Sequence, residues 1–166
     1  MAPARSELSR REAVTPADIA AVGELVAGTG FFTPEEIGIA RELVEEHLAH
    51  GAASGYLFLL AEDAKGLLGY TCYGPTDADP AVFDLYWIAV QSACRGQGLG
   101  SDLLRETEAL IRAQGGRRVF IETSSQPLYH PTRRFYEKHG YQLVETRPDH
   151  YAPGDDCLVF AKELGG

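Results

Sequence analysis

The chain has 166 residues, 45% of them hydrophobic and 23% charged, with a net charge of −9. A chain of this size buries on the order of 70% of its unfolded surface, and the composition is that of a globular domain, which excludes collagen, coiled coil and wholesale disorder. The negative charge argues against general nucleic-acid binding, which needs a basic face against phosphates, and no apolar stretch approaches the roughly 18 residues of a bilayer span. Met1 to Glu12 is polar with mixed charge, so no export leader is expected and the chain reads as soluble and cytoplasmic, with no membrane partner. Cys72, Cys94 and Cys157 are too few and too scattered for a disulfide framework or a zinc site, so reduced thiols and no metal are expected.

Thr15-Pro16-Ala17-Asp18 reads as a helix start, with Thr15 as cap, Pro16 at the first helical position and Asp18, a shorter acid, in the capping-box position. That helix runs to about Gly28. Thr33 and Glu36 form a second capping box, and Ile37, Ala40, Leu43, Val44 and Leu48 follow at helical spacing as far as Gly51. Tyr56–Glu62 and Leu67–Tyr73 are apolar runs joined by Asp63-Ala64-Lys65-Gly66, a hairpin. Val82–Val90 is expected to be a buried strand, and a helix pattern begins at Leu99 and ends at Gly115-Gly116. Arg118–Glu122 is a short strand, Thr132–His139 a short helix stopped by Gly140, and Tyr141–Thr146 and Cys157–Lys162 are the last two strands. With a strand before the first helix, the order predicts one α/β (α+β) domain over 1–166. Its centre is a mixed, mostly antiparallel sheet of about seven strands flanked by about four helices.

The most informative segment runs from Val90 to Ser101 and joins a buried strand to an amphipathic helix. Gly96, Gly98 and Gly100 remove side chains at alternate positions, so main-chain N–H groups can converge on an anion. The helix start adds about half a positive charge, and Arg95 can add a fixed cation. Neither the dinucleotide fingerprint nor the Walker pattern is met. A turn shaped by glycine for close packing alone is the plain alternative.

Arg95-Gly96-Gln97-Gly98-Leu99-Gly100 matches the [QR]-x-x-G-x-[GA] motif, and the chain resembles the GCN5-related N-acetyltransferase (GNAT) superfamily. Tyr86–Val90 resembles the family's fourth strand, and Phe135-Tyr136-Glu137-Lys138-His139-Gly140-Tyr141 resembles its late F-Y-x-x-x-G-[FY] signature. The likeness covers about residues 10–163. It implies transfer of an acyl group, usually acetyl, from acetyl-CoA as co-substrate to an amine. It implies that Arg95, Gly96, Gln97, Gly98, Leu99, Gly100 and Ser101 bind the pyrophosphate through main-chain N–H groups. Ile88, Ala89 and Val90 would pair with the pantetheine arm, and an N–H near Val90 would polarise the thioester carbonyl. Members of the family are often homodimers, though no residue pattern here shows that assembly.

The chemistry needs a neutral amine, although a lysine-type amine has a pKa of ~10, and a proton for the departing thiolate. Direct attack in a ternary complex needs no covalent enzyme intermediate. The resemblance makes Tyr136 the candidate acid, with aromatic packing as its plain alternative. Glu122, the acid in Val119-Phe120-Ile121-Glu122, is a candidate base by resemblance to the ribosomal-protein alanine N-acetyltransferases. The separation from Glu122 to Tyr136 is about two residues longer here, and the intervening loop lacks the asparagine often found in those enzymes. As an acid in an apolar strand Glu122 also needs a partner, and Arg118, Arg133 or Arg134 could supply it. Asp84 is the alternative base, at a strand position where other members carry an acid that works through water. His130, His139 and His150 are weaker candidates. Cys94, beside Arg95 and a helix start, carries the rival reading of an activated nucleophile.

In this fold the acceptor site is walled by the turn between the first helices and the connection between the last strands. Those segments offer Phe31 and Phe32, and Tyr151, Asp155 and Asp156. They suit a small cationic amine, an amino acid or a peptide N-terminus. Stapling by Phe31 and Phe32, and a simple turn at the aspartates, are the plain alternatives. The function of another class that the same residues allow is a CoA- or nucleotide-binding regulatory module without turnover; a bare interaction protein is the third.

Overall fold

The computed structural model describes residues 8–165. Among them are seven strands and four α-helices, in the order β1 (Ser9–Arg11), α1 (Ala17–Gly28), α2 (Pro34–His50), β2 (Leu57–Asp63), β3 (Gly66–Pro75), β4 (Val82–Val90), α3 (Leu99–Ala113), β5 (Arg118–Ser124), α4 (His130–Lys138), β6 (Gln142–Ala152) and β7 (Asp155–Glu163). The strands form one sheet in the order β1-β2-β3-β4-β5-β7-β6. β4 and β5 run parallel, with Val82–Leu85 registered on Arg118–Ile121, and β1/β2, β2/β3, β5/β7 and β6/β7 are antiparallel. The expected mixed, mostly antiparallel architecture is the one observed. The chain gathers into two compact units, one holding the described residues up to Gly74 with Trp87–Leu110, the other Pro75–Tyr86 with 111–165.

In the first unit β2 and β3 are buried on both faces, which is why they read as continuous apolar runs. One face meets α1 and α2 through Val22, Leu25, Val26, Ala40, Val44, Phe58, Leu60, Tyr70 and Cys72. The other meets the start of α3 through Leu59, Ala61, Leu68, Leu99 and Leu103. Gly69 permits a close approach of α3: a Cβ there would lie 2.9 Å from both Leu103 and Val90. Thr71 and Thr107 close the same contact with a buried 2.7 Å hydroxyl pair.

Thr33 and Glu36 form the expected reciprocal cap on α2. At α1 the expectation holds by half. Pro16 takes the cap position with helical backbone angles and no side-chain cap. Asp18 reaches back to the Thr15 N–H at 2.7 Å, but the Thr15 hydroxyl donates to Asp18 as well, at 3.2 Å, instead of capping the helix. Asp18 does more than close this turn. Its side chain, 5% exposed, ion-pairs with Arg11 at 2.7 Å, and Arg11 also holds Glu62 at 2.9 Å. β1 is thereby tied to both α1 and β2.

In the second unit β5 alternates, with Val119, Ile121 and Thr123 buried and Arg118, Phe120 and Ser124 half-buried opposite them. Tyr136 on α4 packs on Tyr141 and Phe160, with ring centroids 6.1 and 6.4 Å apart. The last two strands are longer than the sequence pattern indicates. Asp149, His150, Tyr151, Asp155 and Asp156 lie on the strands β6 and β7, and only Pro153-Gly154 turns between them. β6 is the outer strand, exposed along nearly its whole length, and its register against β7 is broken between Leu143 and Glu145 and again between Arg147 and Ala152. No helix among the described residues is long and apolar enough to cross a membrane.

Two stability outcomes follow from these contacts. The Tyr70 hydroxyl is buried without a hydrogen-bond partner among the described residues, so Tyr70→Phe removes an unmet group and leaves stability unchanged or raised by up to about 1 kcal/mol in urea denaturation; a loss above that size counts against the orphaned hydroxyl. Burial acts to raise the Asp18 pKa, but hydrogen bonds from Arg11 and the Thr15 N–H outweigh it and hold the carboxyl below the ordinary value. The stabilisation is therefore present above the unfolded-state pKa of ~3.9 and lost as pH falls through the lower folded value. Asp18→Asn is expected to cost about 2 kcal/mol at pH 7, with the gap to wild type narrowing below about pH 4; a gap constant from pH 7 to pH 3 contradicts this.

Candidate active site

The turn into α3 supplies the first element of the site. Gln91 is held by its N–H on the Leu68 carbonyl at 2.8 Å and by its side chain on the Leu67 carbonyl at 2.9 Å, which fixes where β4 ends. A single 3₁₀ turn, Ser92–Cys94, follows. Gly96 and Gly98 then take φ of 76° and 84°, left-handed angles that other residues adopt only with strain. A Cβ on Gly96 would meet nothing within 4 Å, so glycine is needed there for its angles rather than for space. Alternating left-handed residues turn successive amides toward one concavity. α3 begins immediately after, with the Asp102 N–H on the Gly98 carbonyl at 3.0 Å as its first full turn. Main-chain N–H groups in the first turn of a helix generally lack an acceptor within that helix. The segment from Gly96 to Ser101 therefore has the shape and polarity to hold a diphosphate.

Arg95 differs from its expected place. Its N–H is taken by the Ser92 carbonyl at 3.2 Å. Its guanidinium donates to the Thr29 carbonyl at 3.0 Å and stands 4.7 Å over the Phe31 ring. Phe32 turns the other way, onto Trp87 with ring centroids 4.9 Å apart and against the core beneath α1 and α2. Ala89, in the β4 segment that ends at the turn, is buried in the same core.

Cys94 is not an activated thiol. It is 5% exposed, packed with Leu59, Ala61, Leu68, Leu99 and Leu103, and burial, followed by the charge of Asp63, pushes its pKa up. A thiol poised for attack needs the opposite shift.

The second unit brings the acids together. Asp84 lies opposite Phe120 in the β4–β5 ladder, and Glu122 is two residues further along β5 on the same face. Asp84 is half-buried, and its pKa is raised by burial and then by the charge of Glu122, against the lowering effect of a hydrogen bond from Tyr86. Glu122 is not the buried acid its apolar neighbours suggested. Its side chain is 48% exposed and pairs with Arg147 at 2.8 Å, not with Arg118, Arg133 or Arg134. Arg118 instead pairs with Glu163, and Arg133 donates to the Ser124 and Gln126 carbonyls. Arg147 reaches Glu122 from β6 across β7 and is also bound to Glu145. The partner belongs to a strand pairing between distant segments, and nothing near Glu122 in the chain signals it.

Tyr136 is 6% exposed, and burial pushes its phenol above the ordinary tyrosine pKa. It keeps its proton across the physiological range. Asp155 accepts a hydrogen bond from Ser124 at 2.5 Å, and Asp156 from the Asp149 N–H at 2.9 Å. Asp156 thus holds its own hairpin, and Asp155 ties that hairpin to the end of β5. Tyr151, on β6, donates toward the Cys157 sulfur at 3.6 Å and remains half exposed. His150 stacks edge-on with Tyr151 at 5.0 Å.

A glycine turn heads a helix in one unit, and an acid of raised pKa lies on a strand of the other. The model of the acetyltransferase (GNAT) domain matches residues 54–143, more than half of the chain, and the chain belongs to the GNAT acetyltransferase family. A solved GNAT-family protein from Desulfovibrio desulfuricans is 46% identical, with a TM-score of 0.93 over 95% of this chain and 99% of that one. A Bacillus subtilis (strain 168) protein provisionally named a ribosomal protein bS18-alanine N-acetyltransferase is 29% identical over 119 residues, 71% of each chain. An aminoglycoside 6'-N-acetyltransferase solved in complex with coenzyme A shares the fold, with a TM-score of 0.74 at 19% identity over 96% of this chain and 97% of that one.

The Asp84–Glu122 coupling has a direct readout. Carboxyl NMR titration is expected to place the Asp84 pKa above the ordinary ~3.9 and to show it moving down in Glu122→Gln, where the like charge is gone. An unmoved Asp84 would mean that the two carboxylates do not sense each other.

Proposed function

We propose that the protein is an acyl-CoA-dependent N-acetyltransferase acting on a primary amine of a small molecule, amino acid or peptide by direct attack in a ternary complex. The observation that carries the reading is the pair of left-handed glycines, Gly96 and Gly98, opening into the N-terminus of the 15-residue α3. Gly96, Gln97, Gly98, Leu99, Gly100 and Ser101 hold the diphosphate through their main-chain N–H groups. Ile88, Ala89 and Val90 offer backbone groups to the pantetheine arm, and the Val90 N–H polarises the carbonyl to be attacked. When bound, acetyl-CoA supplies an activated acyl group and a thiolate leaving group.

Asp84 is the base. Its raised pKa makes it a better proton acceptor than an ordinary aspartate, and Tyr86 keeps it oriented. Glu122, exposed and ion-paired with Arg147, still tunes Asp84 through its charge and leaves the proton transfer to it. Tyr136 carries the proton for the departing sulfur on a phenol that burial keeps protonated. Tyr151, half exposed on β6, contributes to the acceptor side; Asp156 keeps its hairpin in shape, and Asp155 ties that hairpin to β5. The coarse acceptor class is an amine, and the names of two relatives point to a ribosomal-protein alanine and to aminoglycosides.

A thiol-release screen with acetyl-CoA against amino acids, polyamines, aminoglycosides and short peptides tests the reading, and at least one amine is expected to release thiol. With that amine, Asp84→Asn is expected to lower kcat by about 10²–10⁴-fold. The rate depends on the deprotonated base, so it falls as pH drops through the Asp84 pKa. Glu122→Gln moves that acid limb to lower pH. Full activity in Asp84→Asn would remove Asp84 from the role, and no thiol release with any amine would count against turnover itself.

A further inference from the structure

Helix α1 ends with carbonyl groups that its own turns cannot satisfy, and its last turn carries no basic residue. Four carbonyls, from Val26 to Thr29, have traceable partners. The Val26 carbonyl takes the Thr29 hydroxyl at 2.7 Å, and the Ala27 carbonyl takes the Gly30 N–H at 3.2 Å. The next two are met from a segment more than sixty residues away. Ser92 Oγ donates to the Gly28 carbonyl at 2.9 Å, and an Arg95 guanidinium nitrogen donates to the Thr29 carbonyl at 3.0 Å. The same guanidinium covers the Phe31 ring at 4.7 Å. Both donors lie in the turn that opens into the glycine cradle.

We propose that Ser92 and Arg95 are positioning residues: they cap the C-terminus of α1 from the cradle side and so couple the order of the turn from Thr29 to Phe32 to occupancy of the cradle. A cation at a helix C-terminus is favoured by the aligned peptide dipoles, and a guanidinium can bond a carbonyl and cover a ring at once. With its side chain spent on α1, Arg95 contributes little to holding the diphosphate. A ligand that stills the cradle also stills its two donors, and through them the turn. The coupling rests on the reading of the cradle as the CoA site; the clamp on α1 does not.

Hydrogen exchange, calorimetry and fluorescence on the intact chain test this, with CoA as the probe. Trp87, the single tryptophan, packs on Phe32 and reports on the turn. In the wild type, CoA is expected to slow amide exchange across residues 29–33 and to change Trp87 emission. Arg95→Ala and Ser92→Ala are each expected to speed ligand-free exchange there by roughly three- to tenfold, to leave the CoA dissociation constant within about threefold of wild type, and to abolish the slowing by CoA. Arg95→Lys, which keeps the cation and a donor, restores part of it. A tenfold or greater loss of CoA affinity in Arg95→Ala with unchanged exchange at 29–33 would overturn the proposal and make Arg95 a phosphate ligand. Exchange at 29–33 indifferent to CoA in the wild type would overturn the coupling. Failure of the wild type to bind CoA would sink the donor reading and the coupling together, while exchange in the ligand-free variants would still decide the clamp.

Discussion

The distance between α3 and β3 is the constraint on which the cradle depends. Gly69 has no side chain, and both Leu103 from the helix and Val90 from the end of β4 close to 2.9 Å of where one would begin. With α3 set down at that depth, Leu99 and Cys94 are buried beside it, and the chain between them must reverse in a few residues. Only left-handed glycines make that reversal without strain. The left-handed turn at the head of α3 thus goes together with the close packing of helix against strand.

The carboxylates of the second unit obey a different logic. Asp84 gains its raised pKa from partial burial and from a second carboxylate, yet the second carboxylate stays in water with Arg147. Two adjacent acids buried together would be costly. Leaving one exposed and paired keeps the cost low while still lifting the other. Tyr136 completes the division, since an apolar cage of Tyr141 and Phe160 makes its phenol a donor and not a base.

Much of the fold is legible in the sequence because its signals are local. The Thr33–Glu36 cap, the Asp63–Gly66 hairpin and the order of elements each follow from neighbouring residues. The pattern ends β6 too early because Pro148 and Asp149 look like a turn; Asp149 indeed takes φ of 51°, but within a strand that continues past it. For the site, the glycine motif is sufficient to locate the cradle. The exposure of Glu122 is also within reach of the sequence, since Val119 and Ile121 alternate with Phe120 and Glu122 and two-residue periodicity puts the acid on the opposite face. The Arg147 partner and the Arg95 contact with Thr29 are not legible, because both join segments brought together only by folding.

The outer strand β6 combines three features that bear on how the molecule meets its own copies. Pro148 has no N–H to offer, Arg147 and Glu145 present bound charges, and the ladder behind them is broken twice. A passing strand from another molecule would find no uninterrupted row of donors and acceptors to zip onto. In a crowded solution this rim is a poor template for backbone pairing, so any contact made here rests on side chains instead.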